Sequence, residues 1–356
     1  MSRVDLLVVG GGPTGLAAAI YAATSGRSVV ILEPRAGVID KACGEGIMPG
    51  GVASLQTLGV AVRGRPFAGV SYGDAVDPDL VATGTFRGAP GLGVRRTVLH
   101  EALRARAAAL GVRWEHARVD GVEQDGDEVR ACGLRARGLV AADGLHSAVR
   151  RSTGLEVPVS PISRARRYGA RRHYAIAPWS DRVEVYFGEG AEAYVTPVAH
   201  DLVGVAFLFE KTARRRSFED FFEGFPLLRE RLGRAEAATR VAGGGPFPRY
   251  AARPSCGRVL LAGDAAGYVD PLTGEGVALG MMTGIAAARS LVEERPHAYA
   301  AEYASITRRY YLATSVLVSL VRRRALHRPL LRLAREIPRA FDAMLRFVAH
   351  ERAPAT

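Results

Sequence analysis

Apolar residues follow two rhythms along this chain. Asp5-Leu-Leu-Val-Val9 is a continuous apolar run of strand length, stopped by Gly10-Gly-Gly-Pro-Thr-Gly15. Leu16-Ala-Ala-Ala-Ile-Tyr-Ala-Ala-Thr24 then reads as a helix closed by Gly26, and Ser28-Val-Val-Ile-Leu32 as a second strand with Glu33 at its end. Strand, tight turn, helix and strand make a βαβ unit. Asp40 to Gly51 is glycine-rich and of mixed polarity, which predicts an irregular loop. Apolar residues at three-to-four spacing predict a helix over 96–110, and 112–137 reads as short strands with a turn at Gln124-Asp-Gly-Asp127. Ser160 to Val241 is mostly strand-like, with candidates at 183–187, 193–196 and 202–209 and a helical break over 217–232. Arg258-Val-Leu-Leu-Ala262 returns to a buried strand. An apolar helix follows Gly276 toward Ala288, and from His297 the pattern is helical and basic.

Composition narrows the class. With 48% apolar and 24% charged residues the chain is neither disordered nor fibrous, and 356 residues suggest about two domains at roughly 150 residues each. Cys43, Cys132 and Cys256 are far apart, so neither a disulfide framework nor a metal site is expected, and a reducing cytoplasm is the expected location. The first apolar run contains Asp5 and leads into glycines, so it reads as a buried strand and not a signal peptide. The later run from Tyr310 to Val321 falls short of the roughly 20 residues that cross a bilayer.

The net charge is +12, and residues 301–356 carry 11 basic against 4 acidic groups. In this tail Arg322, Arg323, Arg324, Arg328, Arg332, Arg335 and Arg339 alternate with leucines and Ile337. The pattern suits a peripheral membrane contact, or a helical cap on a pocket with a solvated basic face. No aromatic-basic interleaving accompanies it, so a nucleic-acid partner is not expected.

Gly10-x-Gly12-x-x-Gly15 lies between a strand and a helix, the context in which it binds dinucleotides. Gly10 permits the turn, Gly12 lets the backbone approach a pyrophosphate, and Gly15 lets helix and strand pack closely. Glu33, 18 residues past Gly15, is placed for the adenosine ribose hydroxyls.

Two further motifs follow in order: Ala142-Asp143-Gly144-Leu-His-Ser147-Ala-Val-Arg150, and Gly263-Asp264-Ala-Ala-Gly267-Tyr-Val-Asp270-Pro271-Leu-Thr-Gly274-Glu-Gly276. Together with the glycine turn they resemble the FAD-dependent oxidoreductases of the para-hydroxybenzoate hydroxylase fold, over residues 1–290. The run Asp270 to Gly276 and the loop Lys41-Ala-Cys43-Gly44-Glu45-Gly46 are most similar to the geranylgeranyl reductase family. The resemblance implies an α/β (α+β) protein: a Rossmann-like FAD-binding domain, an inserted mostly antiparallel β-sheet substrate domain and a C-terminal helical region. Its expected boundaries are 1–65, 91–158 and 245–296 for the discontinuous FAD-binding domain, 66–90 and 159–244 for the sheet domain, and 297–356 for the basic helical region.

It also implies a non-covalent FAD. Asp264 would bind the ribityl and pyrophosphate region, and the Gly274 to Gly276 backbone would open a helix facing the pyrimidine edge of the flavin, where a reduced flavin is negative. Asp143 would tie the cofactor-binding halves together, and Arg96, which begins an R-x-x-L-x-x-x-L pattern with Leu99 and Leu103, would contact phosphate or ribityl oxygens. Pro13, Thr14, Pro34, Arg35, Cys43, Gly44, Val119, Gly144, Pro271, Glu275 and Val277 complete the implied cofactor set. Cys43 falls where the reductases carry a cysteine beside the flavin; it would donate a proton to a substrate carbon, with Glu45 as a nearby acid. Tyr194 and Pro197 are what this chain keeps of the reductases' Y-x-W-x-F-P substrate motif. His100 and His146 read as packing or surface histidines.

Two chemistries stay open. A reductase would pass hydride from reduced FAD to a C=C bond of a hydrophobic prenyl, polyketide or aromatic molecule. A monooxygenase would hydroxylate or epoxidise such a molecule through a C4a-hydroperoxide. Gly267 stands where the hydroxylases carry His, which leans toward the reductase. A halogenase ranks lower, since neither Lys41 nor Lys211 has a halogenase context, and so does a non-catalytic FAD-binding protein. There is no second glycine fingerprint, so NAD(P)H would bind transiently or a separate reductase would supply electrons.

Overall fold

The computed structural model describes residues 3–158, 166–210, 217–321 and 323–349; Lys211 and Arg322 lie outside the described residues. Within these residues two large sheets divide the chain. The first runs in the order Ser255–Cys256, Val259–Leu261, Leu134–Ala141, Arg3–Val9, Val29–Leu32, Arg113–Glu115. Its pairs are parallel from Val259–Leu261 to Arg113–Glu115, and the hairpin Glu123–Asp125 with Glu128–Ala131 adds antiparallel strands beside Leu134–Ala141. Parallel strands covered on both faces need apolar side chains in both directions. Leu6 and Val8 accordingly pack with the helices Pro13–Thr24, Arg96–Ala109 and Gly276–Val292, while Leu7 and Val9 pack with Val119, Val129 and Val149 on the opposite face.

The second sheet runs in the order Glu236–Ala237, Arg167–Ala175, Leu202–Glu210, Ala191–Ala199, Val183–Gly188, Gly69–Asp74, Val81–Thr85, with Ala242–Phe247 also paired to Arg167–Ala175. All its pairs are antiparallel except Val183–Gly188 with Gly69–Asp74. On one face Phe207 packs among Phe218, Phe221, Phe222 and Phe225. On the other, Tyr72, Val183, Val185, Phe187 and Tyr194 form a cluster with Phe67, Leu272, Leu331, Phe341 and Leu345. Two small sheets join the halves: Gly46–Ile47, Gly91–Gly93 and Arg65–Phe67, and Glu156–Val157, Arg249–Ala251 and Gly267–Tyr268.

Two expected segments take a different form, and the tail is helical as expected. The loop read over 40–51 holds the strand Gly46–Ile47 and the start of a helix, Pro49–Thr57. Gly51 is there for packing: a Cβ would lie 2.6 Å from Ile47 Cγ2 and 2.9 Å from the Ala278 Cβ. The helical break over 217–232 divides into a 3-10 helix, Glu219–Gly224, and an α-helix, Pro226–Leu232, because Pro226 opens a new helix at its first position. The tail forms three helices, Tyr299–Val321, Arg324–Glu336 and Pro338–Val348. No helix among the described residues is long and apolar enough to cross a membrane.

Candidate functional site

The glycine turn sits at the carboxyl ends of the parallel strands, where open α/β sheets bind ligands. Gly10 has φ +101°, and a Cβ on it would come within 2.4 Å of the Ala142 carbonyl oxygen. A Cβ on Gly15 would lie 1.9 Å from the Gly10 oxygen, so helix and turn touch backbone to backbone. Glu33 is buried at the end of its strand; its Oε2 accepts from the Gly11 N–H at 2.9 Å and its Oε1 from Arg35 Nε at 2.7 Å. Burial raises its carboxyl pKa, but the Arg35 side chain and the N–H groups of Gly11 and Arg35 outweigh that and hold it below the usual carboxylate range. His100 is buried on the other side of the turn. The Ile39 N–H donates to its Nδ1 at 3.3 Å, so the ring proton lies on Nε2 and is donated to the Gly11 carbonyl at 2.9 Å.

The helix Pro13–Thr24 has Gly12 as its N-cap and no side-chain cap, which leaves its first N–H groups without intrahelical acceptors. A Cβ built on Gly12 would meet nothing nearer than Arg96 Nη2 at 3.7 Å. Arg96 Nε is buried and has no hydrogen-bond partner among the described residues. A pyrophosphate would satisfy both the helix end and this guanidinium, so the turn fits the phosphates of FAD.

Asp143 caps the short helix Ala148–Ser152, its Oδ2 accepting from the N–H groups of Ala148 and Val149 at 2.7 and 3.2 Å. The bond to the third motif is made by Arg150. Fully buried, it donates to the carbonyls of Ala265 at 2.9 Å and Asp264 at 3.3 Å, and to that of Leu145 at 2.9 Å. Asp264 stands on the turn Gly263–Ala265 with its carboxylate 3.3 Å from Lys41 Nζ. Gly144, at φ +82°, faces the same opening, where a Cβ would meet only Lys41 Nζ at 4.0 Å. Val119 is buried in the cluster beneath the sheet, and Pro34 and Arg35 follow Glu33 at the surface.

Asp270 accepts from the Leu272 N–H at 3.0 Å and opens the turn Pro271–Thr273; Gly274 then takes φ +71°. Glu275 is buried, Val277 half-buried, and the helix Gly276–Val292 begins without a side-chain cap. That uncapped helix start would favour the negative charge of a reduced flavin.

Cys43 is half-buried, and its Sγ accepts from the Glu45 N–H at 3.4 Å. Glu45 is buried and adopts φ +61°. Its Oε1 accepts from the Arg96 N–H at 2.8 Å, and its Oε2 lies 2.5 Å from His173 Nε2. The Gly44 carbonyl accepts from Thr196 Oγ1 at 2.7 Å, and the Leu272 carbonyl from Tyr194 Oη at 3.2 Å. Tyr194 and Thr196 thus reach from one strand of the second sheet to the two loops flanking the site. Pro197 lies on the same strand with its carbonyl 1.9 Å from where a Gly93 Cβ would be, so Gly93 permits that approach. The structure therefore brings Cys43, Glu45, Arg96 and Tyr194 to one junction between the sheets, while Glu33, Arg35 and Val119 lie at the other end of the cradle.

Thr196, Arg171 and His173 carry contacts that the sequence did not single out, and Arg150, quoted as the end of its motif, was given no role. For Arg171 and His173 a signal existed: polar basic side chains at alternate positions of a strand-like run, where burial demands partners.

The chain matches a family model described as an FAD binding domain over residues 3–301. A menaquinone reductase of Mycolicibacterium smegmatis is 30% identical over 348 residues, covering 87% of this chain and 81% of the relative. A digeranylgeranylglycerophospholipid reductase of Methanothermobacter thermautotrophicus is 29% identical over 313 residues, covering 81% and 76%. A solved geranylgeranyl bacteriochlorophyll reductase-like protein of Thermoplasma acidophilum superposes with a TM-score of 0.79 at 21% identity, over 99% of this chain and 97% of that one, which speaks for the fold.

Proposed function

The chain belongs to the FAD-binding-domain family and is an FAD-dependent oxidoreductase, and from that premise we propose that it reduces a carbon–carbon double bond in a hydrophobic, isoprenoid-bearing molecule. The names of its relatives, a menaquinone reductase and a digeranylgeranylglycerophospholipid reductase, support that substrate class. When bound, the FAD would supply the hydride.

The chain's own residues would do the rest. The start of helix Pro13–Thr24 with Arg96 would hold the pyrophosphate, Glu33 the adenosine ribose and Asp264 the ribityl chain. The uncapped start of helix Gly276–Val292 would hold the charge on the flavin ring. Cys43 would deliver the proton to the second carbon. The carrying observation is the anchoring of its loop on two sides: Thr196 bonds to Gly44, and Glu45 is held by Arg96 and His173. The loop so anchored would hold the thiol at the cofactor cradle, and the apolar cluster around Tyr194, Leu272 and Phe67 would exclude water from the reacting bond. On this reading residues 66–90 and 159–244 shape the substrate pocket, and electrons arrive from NAD(P)H or a partner reductase.

The test is product mass. Protein whose flavin has been reduced anaerobically is mixed with a geranylgeranyl lipid, or with menaquinone whose ring is reoxidised to the quinone before analysis, and the isoprenoid chain of the product is expected to be heavier by two hydrogens. A product formed only in air and heavier by one oxygen would replace the reductase with the monooxygenase. Cys43→Ala should lower kcat by about a hundredfold or more, the usual contribution of a positioned acid, while FAD content stays the same.

A further inference from the structure

The strand Arg167–Ala175 belongs to the second sheet, yet one of its faces is not apolar. Positions 167, 171 and 173 point the same way along a strand of period two, and there stand Arg167, Arg171 and His173, which are 5%, 1% and 0% exposed. Arg167 lies between Glu192 and Asp270, with Nη1 3.1 Å from Asp270 Oδ1. Arg171 Nη2 is 2.5 Å from Asp40 Oδ1, 3.6 Å from Glu45 Oε1 and 3.3 Å from the Lys41 carbonyl. Cationic side chains buried in this way stay only where carboxylates meet them, and here the carboxylates come mainly from the two loops that flank the cofactor cradle.

His173 has the most defined surroundings. Thr239 Oγ1 lies 3.0 Å from its Nδ1 and accepts from its backbone N–H at 3.1 Å, while Arg171 Nη1 approaches the same Nδ1 at 3.4 Å. A guanidinium only donates, so Nδ1 is an acceptor and the ring proton lies on Nε2, aimed at Glu45 Oε2. Across the sheet Gly204 pairs with His173, and a Cβ there would come within 3.3 Å of that carboxylate oxygen, so a missing side chain leaves the slot Glu45 enters. The result is a non-glycine residue held in a left-handed backbone conformation by bonds to both carboxylate oxygens.

We propose that His173 is a positioning residue that acts through Glu45 to fix the Cys43–Glu45 loop, with Thr239 and Arg171 setting its ring. The proposal rests on the reading of Cys43 as proton donor only for its catalytic meaning. The placement of the loop is read directly from the thiol, so the two ideas fail separately. Without the Nε2 donor, Glu45 Oε2 would be buried unpaired, the backbone at Glu45 would relax toward the extended region, and Cys43 two residues away would move with it.

The test is peptide-resolved alkylation of the FAD-loaded protein with iodoacetamide. His173→Phe keeps a ring but removes the donor. It should raise the Cys43 rate about tenfold, as expected when a hydrogen bond to a charged group is lost. Cys256, half-buried on the first sheet, should keep its rate. His173→Gln, which retains an N–H donor, should restore most of the protection. Thr239→Val, which frees the ring but leaves the pair, should raise the Cys43 rate about threefold, as for a weaker neutral bond. An unchanged Cys43 rate in His173→Phe, a parallel rise at Cys256, or a His173→Gln protein as reactive as His173→Phe overturns the proposal. If His173→Phe does not fold, Thr239→Val decides alone: a rise confined to Cys43 supports the proposal, and no rise overturns it.

Discussion

At Gly204 a single absent side chain decides whether a carboxylate can reach its partner. Gly204→Val should destabilise the protein by about 2 kcal/mol in urea titrations, the usual cost of overpacking, since Glu45 must give way. His100 invites a pH test. Burial lowers its pKa from the ordinary 6.5, with the Gly11 carbonyl and Glu33 only partly opposing that and Arg96 and Arg104 adding to it. Above pH 6.5 the ring is neutral in both folded and unfolded chains and its stability contribution is full. As pH falls below 6.5 the unfolded chain takes up the proton first and stability drops. Urea midpoints between pH 7.5 and 5.5 should fall more steeply for the unsubstituted protein than for His100→Gln. His100 was legible only as a packing or surface histidine, because its partner is the carbonyl of Gly11, 89 residues earlier in the chain. Glu33 was legible because its partner motif is local and its spacing from Gly15 is a fixed property of the βαβ unit.

The helix Gly276–Val292 carries glycines at every fourth position, Gly276, Gly280 and Gly284, of which Gly280 and Gly284 face Thr14 of the helix Pro13–Thr24 while Gly276 faces Tyr268. A Cβ on Gly284 would lie 2.4 Å from the Thr14 backbone oxygen, which cannot move aside. One on Gly280 would lie 2.4 Å from Thr14 Oγ1, a side-chain atom that can rotate. Gly284→Ala should therefore lose about 3 kcal/mol in thermal or urea unfolding, and Gly280→Ala about 1 kcal/mol, with FAD content falling in the same order. The helix itself was readable from its apolar run. The glycine stripe was not, since its meaning comes from a partner helix some 260 residues earlier in the chain. The same limit made Gly51 read as loop when it serves helix packing. The strands Arg3–Val9, Val183–Gly188 and Leu202–Glu210, in contrast, were read within about two residues, because their apolar runs are recorded directly in local sequence, whereas Ala191–Ala199 was read short over 193–196 and Arg167–Ala175, with arginines and a histidine on one face, was not picked out.

Across the whole molecule the last two tail helices, Arg324–Glu336 and Pro338–Val348, close over the second sheet, while Tyr299–Val321 packs chiefly on the helix Gly276–Val292. Leu331, Phe341, Leu345 and Ala349 are buried against it, and the Arg328 guanidinium meets Asp74 with Nε at 3.0 Å and Nη2 at 3.3 Å. The opposite side of the tail exposes Leu312, Val316, Leu333, Ile337, Met344 and Phe347 among arginines, with Arg309 over the Phe347 ring. Leu345→Ala should cost about 3 kcal/mol in urea unfolding, typical of a buried leucine whose cavity does not refill. Burial raises the Asp74 pKa, but Arg328 and the N–H groups of Val76 and Asp77 outweigh it and hold it below 3.8. Its stabilising contribution is thus complete above about pH 3.8 and is lost as pH falls below that value. Sequence periodicity showed helices and basic charge in the tail but not which side of them meets the sheet, because that depends on strands far earlier in the chain, from Gly69–Asp74 to Ala191–Ala199.

The pair formed by Lys41 and Asp264 has a practical reach beyond the site itself. Only two of the chain's 48 basic residues are lysines, so arginine, inert to amine-directed reagents, supplies almost all of the positive surface. Dyes, biotin esters and coupled resins aimed at primary amines have few side-chain targets, and one of them is 3.3 Å from Asp264, the carboxylate proposed to hold the ribityl chain. Tethering through amines would obstruct the cradle, and immobilised preparations should be anchored through an engineered tag.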